Sequence, residues 1–266
     1  MRIIRGRSKH RQVARAVTIR TDSKKPGRGW WLLAALMLMG AIALQIPAAW
    51  LAARFFPNNP YVDQVSGQVW SGQVIGHGQG LSGVLSWRLR PQDLFWLRLG
   101  ADVQVESGVT RLQGQVALGR QQLLLRDWSG QVDAETLRSA LPWQWPASPV
   151  QVRALALHWH QQKGWQAAQG TLNWGGGALG YPFEGRLERA VLPPLQGKLS
   201  LDKERLHLAL LDNSSARMGD VYVDREKMLD VQLTQRLLLN VAGYQGQAGL
   251  DTAVVSVRQP LSSLGQ

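Results

Sequence analysis

The chain has no cysteine. That excludes disulfides, thiolate metal sites and a thiol nucleophile, while leaving an oxidising compartment permitted. Tyrosine and phenylalanine are scarce, four of each, and the aromatic content rests on 12 Trp. Acidic residues are almost missing from the start of the chain. Residues 1–29 hold ten Lys/Arg against Asp22 alone, a net +9, which leaves only +3 of the total +12 for everything that follows. A basic charge spread over a folded domain would point to nucleic acid, whereas a charge confined to a tail does not, so no nucleic-acid partner is expected. The tail reads as an orientation signal solvated by water and anionic headgroups, with a docking arm for a cytoplasmic partner or nucleic acid as the lesser reading.

Charge is also absent from Trp30 to Ala53, WWLLAALMLMGAIALQIPAAWLAA, where Gln45 is the one strongly polar side chain. About 20 apolar residues span a bilayer core, so this segment predicts a transmembrane helix over 30–53, with Pro47 placed to kink or end it. The ten Lys/Arg before it put the N-terminus in the cytoplasm and the rest across the membrane. Trp30 and Trp31 at one end, and Trp50, Phe55 and Phe56 at the other, suit the two interfacial belts. A cleaved signal peptide is disfavoured, because the run exceeds the usual apolar core and Pro47 and Leu51 spoil the small-residue cleavage pattern.

Beyond Pro57 and Pro60 the pattern changes to period two. Leu85, Trp87 and Leu89 alternate with Ser86, Arg88 and Arg90; Val103 and Val105, Leu206, Leu208 and Leu210, and Leu229, Val231 and Leu233 repeat the scheme. With 28 Gly punctuating these segments, the fold class is mainly β: one transmembrane helix, then a twisted, mostly antiparallel sheet over 54–266 with one or two short helices. Asp133 is placed to cap a short helix over Ala134–Leu141, stopped by Pro142. The prolines Pro142, Pro146 and Pro149 mark the best break between two lobes, near 142–150. Trp70-Ser-Gly-Gln-Val74 recurs verbatim as Trp128-Ser-Gly-Gln-Val132, which reads as a turn or bulge that resets the chain before the next strand.

No constellation for catalysis stands out. Gly78-Gln-Gly-Leu-Ser-Gly83 has dinucleotide-loop spacing, but an alternating strand follows it instead of a helix, so hairpin glycines are the better reading. His158 and His160 share a strand face without a third ligand and are expected to face water. His77 and His207 look isolated, and Asp212, Asp220, Asp224 and Asp230 look like solvated surface. Trp87, Trp159 and Trp174 sit at core positions. Trp143 and Trp145, flanked by proline, are the candidate partner-binding residues. No cofactor or metal is expected.

Four segments resemble the protein N family of the type II (general) secretion system. They are Val65-Ser-Gly-Gln-Val-Trp-Ser-Gly72, Leu85-Ser-Trp-Arg-Leu-Arg-Pro91, Gly170-Thr-Leu-Asn-Trp174 and Leu192-Pro-Pro-Leu-Gln-Gly197, and together they extend the resemblance over about Ala48 to Leu239. It implies a bacterial inner-membrane protein with a periplasmic β domain, partnered by other inner-membrane subunits and the outer-membrane secretin, and it supplies no catalytic residues. The leading expectation is a non-catalytic accessory subunit that binds partners through strand edges and loops. The alternative is a periplasmic lipid-binding or lipid-transfer β-groove protein, which predicts a continuous apolar face open to solvent.

Overall fold

The computed structural model describes residues 28–55, 57, 59–78, 81–140, 144–183, 186–241 and 244–261. Trp143 and the basic tail up to residue 27 lie outside the described residues. The chain divides into two compact units, Met1–Ala43 and Leu44–Gln266.

In the first unit lies most of helix α1, Arg28–Leu44, whose 17 residues reach about 25 Å at 1.5 Å per residue. Its described side chains from Gly29 to Gly40 are all exposed, although nearly all are apolar. The single helix expected over Trp30–Ala53 is in fact two: α1 stops at Leu44, and α2 runs over Ala48–Phe55. Among the described residues no helix is long and apolar enough to cross a membrane. The break falls where Pro47 removes an N–H donor and disfavours helical geometry at Ile46. There the chain turns to the sheet instead, the Ile46 carbonyl accepting from Val69 N–H at 3.1 Å and Pro47 bridging to Gln68.

The second unit is built on one antiparallel sheet of 13 strands. In chain order these are β1 Val62–Gly67, β2 Ser71–Gly78, β3 Leu81–Arg90, β4 Leu99–Ser107, β5 Thr110–Leu118, β6 Gln122–Val132, β7 Val150–His160 and β8 Gly164–Trp174. After the separate hairpin β9 Gly177–Phe183 and β10 Arg186–Leu192 come β11 Leu195–Asp202, β12 Arg205–Leu211, β13 Arg217–Val223, β14 Met228–Thr234 and β15 Ala253–Pro260. Each strand pairs with its chain neighbour, except that β8 pairs with β11 across the inserted hairpin. β1 and β15 are the two edges. The predicted strands around Leu85, Val103, Leu206 and Leu229 are β3, β4, β12 and β14, and the predicted short helix is α4, Ala134–Ala140. Asp133 caps α4, its carboxylate accepting from Glu135 N–H at 3.4 Å. β6 and β7 pair directly, with α4 between them in the chain.

The two copies of the repeated pentapeptide do different work. Trp70 lies in the tight β1–β2 turn, whereas Trp128 sits inside β6 at a register irregularity that follows Asp127, whose φ is 53°. The bulge lets Trp128 lie over Gly114 of the neighbouring strand, where a Cβ would fall inside its ring. Its indole N–H then donates to Gln115 O at 3.0 Å.

Candidate interaction surfaces

Paired residues of an antiparallel ladder project to the same face, so the register fixes which side chains share a surface. Starting at Val65, successive partners are Val74, Leu85, Val105, Leu112, Gly130, Val152, Leu172, Gly197, Leu210, Gly219, Leu233 and Val255. This is one residue from every strand of the sheet, without a polar side chain from edge to edge. The row one step to the other side reads Gln73, Ser86, Gln104, Gln113 and Ser129 on β2 to β6. The sheet is therefore apolar on one face and polar, rich in glutamine, on the other.

Among the described residues no continuous second layer covers the apolar face. Of its central row only Val152, Gly197 and Gly219 are buried, and Leu85 is exposed. Cover is local. At the β1 end, α2 lays Ala48, Leu51 and Ala52 opposite Val65, Val74, Trp87, Leu89 and Leu99, leaving a cavity of about 650 Å³ between them. Trp87 is fixed there by donating its indole N–H to Val69 O at 2.9 Å. At the opposite end of the strands, β9 and β10 are stitched to Gln144 through Gly180 and to Val241 through Ala190.

Trp145, one of the two predicted partner residues, packs at this end. It is half-buried, its ring edge-on to Trp174 at 6.0 Å and 80°, and its carbonyl accepts from the Arg138 guanidinium at 2.8 Å. Trp174 is buried, as the sequence suggested for a core position, while Trp87 and Trp159 are half-buried on the apolar face.

The polar face holds a cluster that the sequence kept apart. His207 on β12 is not isolated: Nε2 lies 2.7 Å from Asp220 Oδ1 on β13, and Nδ1 lies 3.4 Å from Ser200 Oγ on β11. Its ring stacks on Tyr222, with 4.5 Å between centroids, and Arg205 covers the other side of Tyr222 at 4.5 Å. Asp220 is no solvated surface residue. It is buried at 3% exposure and also pairs with Arg217. Burial, followed by the Asp220 charge, pushes the Tyr222 hydroxyl above its ordinary pKa. Serine, histidine and aspartate are hydrolase residue types, but these lie on interior strands whose backbone N–H groups serve the ladder and not a developing oxyanion. A local tie between neighbouring strands accounts for the arrangement. His77 likewise pairs across β1–β2 with Asp63 at 2.6 Å. His158 contacts Gln122 at 3.2 Å, and His160 Nδ1 accepts from the β7–β8 turn. Among the described residues no group of three or more His, Asp or Glu could hold a metal ion.

A further exposed surface lies on four consecutive large apolar residues that break the strand alternation. Between β3 and β4 the run Leu94-Phe95-Trp96-Leu97 follows the short helix α3, Pro91–Leu94. The side chains of Phe95, Trp96 and Leu97 are exposed at 88%, 76% and 90%. The loop that carries them is held in shape. Asp93 O accepts from Trp96 N–H and Arg98 N–H, both at 3.1 Å, and Leu94 O accepts from Leu97 N–H at 3.0 Å. The Asp93 carboxylate lies 3.8 Å from Arg90 and over Gly100, in the space a Cβ would take.

A broad one-layer antiparallel sheet with a polar and an apolar face, and with His77, His158 and His207 each tied to a residue of the neighbouring strand, defines a β-scaffold protein. The sequence model of the type II secretion system protein N family matches residues 60–266, and the chain belongs to that family. The family is an accessory component of type II secretion, and membership implies contact with other components of that system. No curated protein matches the chain, and neither does any solved structure.

Proposed function

We propose that the protein is a non-catalytic subunit of the type II secretion system, seated in the bacterial inner membrane by residues 30–53 with its N-terminus cytoplasmic. Its sheet stands in the periplasm and supports the export of folded proteins through contacts with inner-membrane subunits and the secretin. The observation that carries this reading is the family match over residues 60–266. Two further observations support it. The apolar surface of α1 is exposed on every described side chain from Gly29 to Gly40, and β15 is an eight-residue edge rich in valine, of the kind that accepts an added strand. In this reading the α1 part of that segment lies in the bilayer, and the α2 part, packed on the sheet, sits at the bilayer interface. Deleting the gene in its own host should strand folded exoproteins in the periplasm; unchanged export would overturn the proposal. Photocrosslinkers at positions 143 and 145 test the partner contact proposed at Trp143 and Trp145.

The unbroken apolar row and the cavity of about 650 Å³ beneath α2 favour a second reading, a lipid-binding or lipid-transfer groove. It predicts phospholipid or its fatty acids in organic extracts of protein purified without detergent exchange. Lipid-free protein with an intact fold would remove it.

A further inference from the structure

We infer that the β3–β4 loop is a membrane-docking finger, which lays Phe95, Trp96 and Leu97 into the interface of the same bilayer that holds the N-terminal helix. This rests on the membrane seat proposed above for residues 30–53 and adds to it a second, separate point of contact.

Position is the first support. The chain leaves α1 at Leu44, and two residues later Ile46 is already hydrogen-bonded to Val69 in the β1–β2 turn. In that same turn Trp70 O accepts from Leu89 N–H at 2.7 Å, and Leu89 is two residues from the start of the loop. Leu89 and Leu99, on either side of the loop, also line the cavity beneath α2. The exposed run therefore lies at the rim of the sheet where the chain enters it, within two or three strand spacings of about 4.8 Å each. Two other described loop residues with large exposed side chains, Tyr61 at 65% and Val109 at 59%, stand at the opposite rim, before β1 and between β4 and β5.

Chemistry is the second support. Three consecutive large apolar side chains at 76% exposure or more exceed what scattered surface residues account for and call for a cover. Tryptophan is enriched at the headgroup level, where its apolar ring is buried and its indole N–H can still reach water, and phenylalanine and leucine bury on the apolar side of that boundary. Cations stand close by to meet anionic headgroups, Arg98 at the foot of the loop and the exposed Arg120 in the β5–β6 turn on the same rim. Trp50, exposed on the outer side of α2, adds a fourth interfacial anchor.

Preorganisation is the third. The loop is a hydrogen-bonded turn pinned by Asp93, so the apolar tip is held outward, and docking does not first have to order the chain.

Because the protein lacks cysteine, a single Trp96→Cys or Val109→Cys labels cleanly with an environment-sensitive fluorophore. The full chain would be reconstituted into phosphatidylethanolamine vesicles with and without phosphatidylglycerol, each also prepared with a shallow spin-labelled lipid. The expected result is blue-shifted emission and quenching by the spin label at position 96, water-like and unquenched emission at position 109, and a larger shift at 96 when phosphatidylglycerol is present. Vesicle-bound protein whose position-96 label stays water-like overturns the finger while leaving the anchor standing, and assigns the loop to a protein partner instead. Protein that does not float with the vesicles at all overturns the anchor and the finger together. Circular dichroism of the same samples shows that each variant is folded.

Discussion

Gly130 occupies the one point of the apolar row where φ reaches +145°, and the Arg111 carbonyl lies where its Cβ would be. Gly130→Ala is therefore expected to cost about 2 kcal/mol or more, read as a lowered urea midpoint. The β11–β12 turn shows the opposite case. Lys203 and Glu204 are held at φ 46° and 67°, a geometry that favours glycine or asparagine. Glu204→Gly should raise the unfolding free energy by about 0.5–1 kcal/mol, read as a higher urea midpoint. At His158, burial first, then Arg98, His160 and Arg126, lower the pKa from 6.5. The unfolded chain thus takes up this proton before the folded one, and stability drops as pH falls from about 6.5 toward the folded value. Substituting His158→Gln should flatten that part of the stability–pH curve; an unchanged slope would show that other groups set it. The turn aspartates act in the same sense at lower pH, because their depressed folded-state pKa likewise makes stability fall as pH drops. Asp212 is held below its ordinary pKa by the Ser214 hydroxyl and the Ala216 N–H. For Asp224 burial opposes ionisation, but hydrogen bonds from Met228 N–H and Arg258 outweigh it.

Among the elements, those whose signals are local were legible. Asp133 followed by a short helical run gave α4, and alternation gave β3, β4, β12 and β14 with the correct faces. The apolar segment was read less well. Pro47 divides it, as its position suggested, but composition does not show that α2 buries Ala48 on the sheet. A hydropathy pattern cannot distinguish a helix facing lipid from one facing an apolar sheet, since both want the same side chains. The edge strand β15 carries the element-scale test. Val257 is exposed at the edge on the apolar side. Val257→Lys should weaken capture of the secretion partners while moving the unfolding midpoint by only about 0.5 kcal/mol, as is usual for a surface change. Undiminished capture would move the partner surface away from β15.

At the scale of the whole molecule, a single sheet of 13 strands is larger than most open sheets, and it buries few large side chains because, among the described residues, no continuous second layer lies against it. Such a scaffold gains stability from neighbour-to-neighbour pairing along the meander, and its apolar face remains available to α2, to lipid or to a partner. If residues 30–44 alone hold it in the bilayer, the full chain should resist alkaline extraction from membranes. A form beginning at Leu44 should come off under the same wash. Retention of that shorter form would mean that α2 or the sheet inserts.

Sequence alone determined the mainly β class, the site of the apolar segment, the polar and apolar sides of individual strands and the family, because periodicity, composition and short motifs are written in consecutive residues. Tertiary structure decided which strands are neighbours and in what register. From that follow the unbroken apolar row, the meeting of His207 with Asp220, the packing of α2 and the place of Phe95, Trp96 and Leu97 at the rim. These depend on pairings between residues distant in the chain, and their register is the sum of every turn and bulge between them, which no single segment encodes.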